Sequence, residues 1–154
     1  MLTSAQMLSW RPWPAYRANT SWALGRGKLS SDAVFVNAGA THPREVWLDS
    51  LREGGRLLLP IAAVIDASGS GIGGMFLITR RPAGFAATHV SPVAIYSCLG
   101  WRDSTLNQEI SRKRGSESSV QSLRRDGHDR DDTCWLHTPG TCLSTLTLVT
   151  GRGN

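Results

Sequence analysis

Between Asp32 and Ile61 the order of apolar and polar positions, DAVFVNAGATHPREVWLDSLREGGRLLLPI, changes period twice. Ala33 to Val36 form a short apolar run that breaks into Asn37, Ala38 and Gly39, small or turn-forming residues that let a backbone pass close to a ligand. Thr41 or His42 can cap a helix, Pro43 fits its first position, and Glu45 places negative charge in its first turn. Trp47, Leu48 and Leu51 then share one helical face. Arg52 suits the helix C-terminus, Gly54 and Gly55 stop it, and Leu57 to Leu59 form the continuous apolar run of a strand covered on both sides. The pattern predicts strand, tight turn, short helix and strand, a βαβ unit with two parallel strands and a right-handed crossover.

Downstream, Ala62 to Gly74 is rich in Gly and Ser and predicts a connection. Met75 to Thr79 and Phe85 to Tyr96 are apolar runs separated by the turn residues Arg80 to Gly84, which predicts an antiparallel hairpin and hence a mixed sheet. Ser104 or Asn107 can begin a short polar helix through Arg114, followed by a loop from Gly115 to Ser119. Val120 to Leu123, Thr133 to Leu136 and Cys142 to Val149 are short strand candidates. Residues 1–31 hold Pro12, Pro14, Gly25 and Gly27 among aromatics, with at most a weak strand near Thr20 to Leu24. The expected fold class is α/β, with parallel strands followed by an antiparallel hairpin. Its expected segments are 1–31, an upstream remnant; 32–99, the structured half of a domain; and 100–154, a loosely ordered extension with short strands.

Composition narrows the function classes. The chain has 154 residues, 40% of them hydrophobic, enough for one domain with a core. A net charge of +5 and a pI near 9.7 raise the question of nucleic acid. The basic residues are scattered in pairs, however, and Asp126, Asp129, Asp131 and Asp132 adjoin Arg124 and Arg125. The aromatics Trp10, Trp13, Tyr16 and Trp22 cluster elsewhere, so no nucleic-acid partner is expected. The three cysteines, Cys98, Cys134 and Cys142, make an odd count with no CxxC pair, which argues against a disulfide framework and fits a reducing cytoplasm. No cationic start precedes an apolar run, and no window approaches the ~20 apolar residues of a span. The expectation is a cytoplasmic protein with no membrane partner.

Three chemical motifs need weighing. Val64 to Gly74, VIDASGSGIGG, has the look of a phosphate-cradling glycine loop, and would make a nicotinamide-binding fragment. Met75 to Thr79 reads as a strand where that loop must open a helix, and Ala67, Ser68, Ser70 and Ile72 miss the glycine positions, so it is read as a link between strands. Cys134, His137 and Cys142, with His128 or an aspartate as a fourth, have metal-ligand chemistry. Trp135 and Leu136 read as strand residues, which sends two of those side chains to opposite faces, so no metal is expected. The serines and four histidines form no GxSxG elbow, and no catalytic residue is assigned. His42 alone lies beyond the carboxyl end of a parallel strand, where α/β proteins place ligands; a simple N-cap is the alternative.

The segment SDAVFVNAGATHPREVWLDSLREGGRLLLPI, continued by FLITRRPAGFAATHVSPVAIYSC, resembles the fourth strand, following helix, fifth strand and closing antiparallel strands of the protein-L-isoaspartate O-methyltransferase family. The resemblance covers about Asp32 to Leu99 and rests on a strand ending in NAGA, a Pro-initiated helix, GGRL, and a Pro after the strand. It implies a partial Rossmann-like sheet and S-adenosylmethionine as cofactor, with Asn37, Ala38 and Gly39 beside its methionine end. Thr41, His42 and Pro43 would face a protein or peptide substrate carboxylate. NTSWALGRG, Asn19 to Gly27, is similar to the family's third strand and GDG turn, so Gly25 and Gly27 match as cofactor-binding residues. Arg26 replaces the acid that would accept a bond from the adenine amino group, and an arginine only donates. Nothing upstream of Asn19 matches the family's glycine-rich loop, so the expected chain is a carboxyl-terminal portion, inactive alone. The alternative is a non-enzymatic α/β interaction module that self-associates through the exposed edge of its first strand.

Overall fold

The computed structural model describes residues 30–98 and 100–148. The expected strand at Thr20 to Leu24 and the sites at Gly25 and Gly27 lie outside the described residues. The rest is a mixed α/β fold on one seven-stranded sheet: β1 (Ser31–Phe35), β2 (Leu51–Val64), β3 (Ser70–Arg81), β4 (Gly84–Tyr96), β5 (Ser122–Arg124), β6 (Cys134–His137) and β7 (Cys142–Ser144), in the spatial order β1-β2-β3-β4-β5-β7-β6. β1 and β2 are parallel, as their spacing predicts, and every other pairing is antiparallel. Segment 100–148, where short strands are expected, supplies three of them to that same sheet.

The helix between the parallel strands, α1 (Glu45–Asp49), is shorter than its sequence predicts. Neither Thr41 nor His42 caps it and Pro43 does not start it: the N-cap is Arg44, with no side-chain cap bond. It ends before Arg52, because the Ser50 hydroxyl donates to the Trp47 carbonyl at 2.8 Å while Leu51 already pairs with Ser31. Arg52 to Gly55 then bulge out of the ladder, which resumes at Ala33 opposite Arg56. Gly54, with φ of 76°, makes that excursion possible.

Leu57, Leu59 and Ile61 alternate along β2 and are fully buried, opposite Ile78 and Phe76 of β3. Leu106 and Ile110 of the second helix, α2 (Ser104–Lys113), join the same core cluster. Each such side chain contributes about 1.5–3 kcal/mol relative to exposure. On the other face Leu58 is half-buried while Pro60 and Ala62 are fully buried, so the strand is covered on both sides over its second half, as expected. Helix α2 begins as read, with Asp103 accepting from the Leu106 N–H at 2.9 Å. Its far end is tied to β6 by Lys113, whose Nζ donates to the Cys134 carbonyl at 2.9 Å.

The expected hairpin is present, and it is longer than read. Arg81 pairs with Gly84 across the two-residue turn Pro82 and Ala83, as Pro and Gly there predict. The Gly/Ser-rich stretch is mostly strand: Val64 pairs with Gly71, and only Ile65 to Gly69 turn. Asp66 closes that turn by accepting from Ser68 N at 2.9 Å and Ser70 N at 3.3 Å. Gly71, Gly73 and Gly74 therefore sit inside an antiparallel strand, with no helix opening after them, and a nicotinamide-loop reading loses its structural basis.

Candidate functional site

The segment from Asn37 to Pro43 leaves the carboxyl end of β1 and threads between two strands of the sheet. Gly39 donates to the Tyr96 carbonyl at 2.8 Å and accepts from Cys98 N at 2.9 Å. Ala40 donates to Pro60 O and accepts from Ala62 N, both at 3.0 Å. Asn37 is exposed, Ala38 half-buried and Gly39 buried. A Cβ on Gly39 would lie 3.0 Å from Ile95 Cγ2 and 3.3 Å from the Ala62 side chain. Its smallness is thus used for packing between strands, and of the three residues expected beside the cofactor's methionine end only Asn37 and Ala38 retain open surface.

Thr41 and Pro43 are buried and His42 is half-buried. Thr41 Oγ1 accepts from the Asp103 N–H at 3.0 Å and stands 3.1 Å from His42 Nδ1, to which its hydroxyl can donate. Burial lowers the His42 pKa from its ordinary value, Asp103 acts in the opposite direction, and Arg44 adds to the lowering. The imidazole is therefore neutral at neutral pH. His42 and Pro43, but not the fully buried Thr41, edge an open cleft of about 390 Å³, bounded by His42 to Val46, Trp101 and the turn from Thr138 to Thr141.

Two residues that dominate this cleft were not singled out in the sequence. The Arg44 guanidinium lies 3.2 Å from the centre of the Trp101 ring, a cation stacked flat on an aromatic face. Burial holds its pKa below the ordinary value without neutralising a guanidinium. No local signal links positions 57 residues apart, so pattern reading does not find the pair. Behind it, Arg102 donates to Gly39 O at 3.2 Å and Ala62 O at 2.9 Å, and also to Asn107 Oδ1, fastening the turn to β2 and α2.

The chemistry available is limited. Burial raises the Cys98 thiol pKa, with Arg44 and Arg102 pulling the other way. Burial also pushes the Cys142 thiol up to about 12, with the neighbouring Cys134 adding to the rise. Neither is a thiolate nucleophile in this state. What the cleft offers is a cation stacked on an aromatic ring, an imidazole, hydroxyls and the exposed Glu45 carboxylate, a polar set that suits binding and alignment more than bond-making.

No family model matches the chain, and no curated protein matches it. Among solved structures, one titled protein-L-isoaspartate O-methyltransferase is similar over 53% of this chain and 23% of that chain, at 22% identity and a TM-score of 0.35. The chain thus corresponds to less than a quarter of that protein's length. No helix among the described residues is long and apolar enough to cross a membrane.

Proposed function

We propose that this chain supplies the substrate-side wall of a methyl-transfer cleft, used with S-adenosylmethionine on a protein or peptide carboxylate, and does not turn over by itself. The observation that carries the reading is the placement of Arg44. The cation sits where the chain leaves the parallel strand pair, at the mouth of the 390 Å³ cleft, with Trp101 holding it flat. A carboxylate matches that guanidinium in charge and planarity. Methyl transfer from a sulfonium to a carboxylate oxygen needs no base, because the nucleophile is already ionised and the thioether leaves neutral. Alignment supplies most of the rate. The described residues hold no glycine loop opening a helix, so they lack the cradle for the nucleoside half of the cofactor.

Calorimetric titration of the full chain tests both halves of this reading. An isoaspartyl peptide is expected to bind weakly and to lose binding in Arg44→Ala, while S-adenosylhomocysteine shows no saturable heat. Saturable, stoichiometric binding of S-adenosylhomocysteine would overturn the claim of inactivity, and a peptide indifferent to Arg44→Ala would remove the carboxylate site.

A second reading, a non-enzymatic interaction module, is favoured by β1. Among the described residues it is the sheet's edge, and Phe35 on it is 61% exposed. Such an edge pairs readily with another chain. Gel filtration across concentrations should give a defined dimer that Phe35→Lys dissociates; a monomer at every concentration removes this reading.

A further inference from the structure

Strands β5, β6 and β7 have three, four and three residues. Strands this short make few ladder bonds, and the long polar connection from Arg125 to Thr133 adds almost no core. Four side chains of metal-ligand type nevertheless converge at their outer end. The ligand atoms of His128, Cys134, His137 and Cys142 all lie within 4.8 Å of one another.

The convergence has a backbone cause. Cys134 and His137 are three apart, and in a regular strand they would point to opposite faces, as the sequence leads one to expect. In the structure Cys134 pairs with Ser144, Leu136 with Leu143 and His137 with Cys142, so three steps on β6 match two on β7. Trp135 is the extra residue of a β-bulge, and the bulge returns Cys134 and His137 to one face. Trp135 is itself 4% exposed and donates to Ser116 Oγ at 2.9 Å, which anchors the irregularity. Cys142 faces His137 directly, and His128 reaches in from the connection after β5.

We propose that His128, Cys134, His137 and Cys142 bind one zinc(II) ion as a closed, structural Cys2His2 site. His128 Nε2 is 3.3 Å and His137 Nδ1 is 3.6 Å from Cys134 Sγ. With Zn–S near 2.3 Å and Zn–N near 2.0–2.1 Å, a tetrahedron places neighbouring ligand atoms about 3.3–3.8 Å apart. Two sulfurs with two imidazoles in that geometry select zinc over hard oxygen-seeking cations. Charge supports the choice, since two thiolates cancel the ion and the half-buried cluster carries no net charge. Surrounding groups orient the ligands. Asp126 Oδ1 is 2.5 Å from His128 Nδ1, which leaves Nε2 facing the sulfurs, and Asp131 N donates to Cys134 Sγ at 3.4 Å. Arg124 holds both aspartates, at 3.0 and 3.1 Å. All four positions come from the protein, which leaves none for a substrate and makes the role structural. The ligands clamp both ends of the turn from Thr138 to Thr141, the far wall of the cleft.

The competing arrangement is a Cys134–Cys142 disulfide, which the register disfavours because the residue opposite Cys142 is His137. The decisive experiment takes the full chain, stripped by chelator and kept reduced, and titrates it with cobalt(II) and then zinc(II). The expected result is thiolate-to-cobalt charge transfer and the intense visible bands of tetrahedral cobalt, saturating at one equivalent and bleached by zinc. Hydrogen exchange in peptides spanning residues 128–144 should slow when zinc is added. His128→Ala, on the connection between β5 and β6, should weaken zinc binding more than the 10–100-fold typical of losing an outer partner, which is the loss expected for Asp126→Asn. Absence of tetrahedral cobalt bands in the reduced wild-type chain would overturn the site. So would His128→Ala binding zinc as the wild type does, or zinc saturation that leaves exchange in 128–144 unchanged.

Discussion

Thr41 Oγ1 accepts a hydrogen bond from the Asp103 backbone N–H at 3.0 Å, joining the turn after β1 to the start of α2 across 62 positions of sequence. Thr41 is fully buried. Thr41→Val keeps its shape and leaves that N–H without its partner, so it should destabilise the chain by about 1–3 kcal/mol, whereas Thr41→Ser should cost about 1 kcal/mol or less. Urea unfolding followed by circular dichroism distinguishes them. Equal midpoints for the two variants would mean that water replaces the hydroxyl.

His42 gives the cleft a pH dependence of definite sign. Burial and Arg44 depress its folded pKa below the ordinary 6.5 or so, against the opposing pull of Asp103. The unfolded chain therefore takes up the proton first. The stability linked to His42 is complete above about pH 6.5 and is lost as the pH falls through that value toward the lower folded pKa. Melting curves of wild type and His42→Gln should diverge between about pH 7 and pH 5, the wild type losing more. Parallel pH profiles would show that His42 titrates alike in both states.

A different histidine is left unsatisfied by the fold. His89 Nε2 is buried with no hydrogen-bond partner among the described residues, and its ring lies 5.7 Å from that of Phe76. Such an atom loses its hydration without compensation. His89→Leu should keep the packing and raise stability by about 1 kcal/mol. A lower melting temperature for the variant would mean that Nε2 is hydrated in the folded chain.

The parts of this fold that sequence reveals are those governed by local period and turn chemistry. Pro82 and Gly84 bracket the β3–β4 turn, and Asp103 caps α2 within one residue of where pattern reading starts the helix. Failures occur where pairing overrides composition. Gly71, Gly73 and Gly74 look like a loop because glycine carries no strand signal, yet the missing side chains of Gly71 and Gly73 are what allow β3 to lie close against β2. The helix expected to run to Arg52 yields to the pairing of Leu51 with Ser31. The bulge at Trp135 is a property of two strands in register, so the shared face of Cys134 and His137 is not visible in either strand alone. The Arg44–Trp101 stack is illegible for the same reason, being made only when the β1–α1 turn meets the segment before α2.

Two glycines in the same stretch should respond very differently to alanine. A Cβ on Gly73 would fall 2.0 Å from the Ile61 carbonyl oxygen and 2.7 Å from Ala62 Cα, both backbone atoms of the paired strand that cannot rotate away. Accommodating it means opening the β2–β3 ladder beside Ile61, so Gly73→Ala should cost about 4 kcal/mol or prevent folding. Gly69 has nothing within 4 Å of its Cβ position, but its φ is +83°. Gly69→Ala therefore meets only backbone strain of about 1–2 kcal/mol, partly offset by the lower entropy of the unfolded chain. Measured side by side by thermal unfolding, Gly73→Ala should be the more damaging by at least about 2 kcal/mol. The reverse order would mean that Gly71 to Gly74 do not pair closely with β2, and would return this stretch to the open loop that its composition suggests.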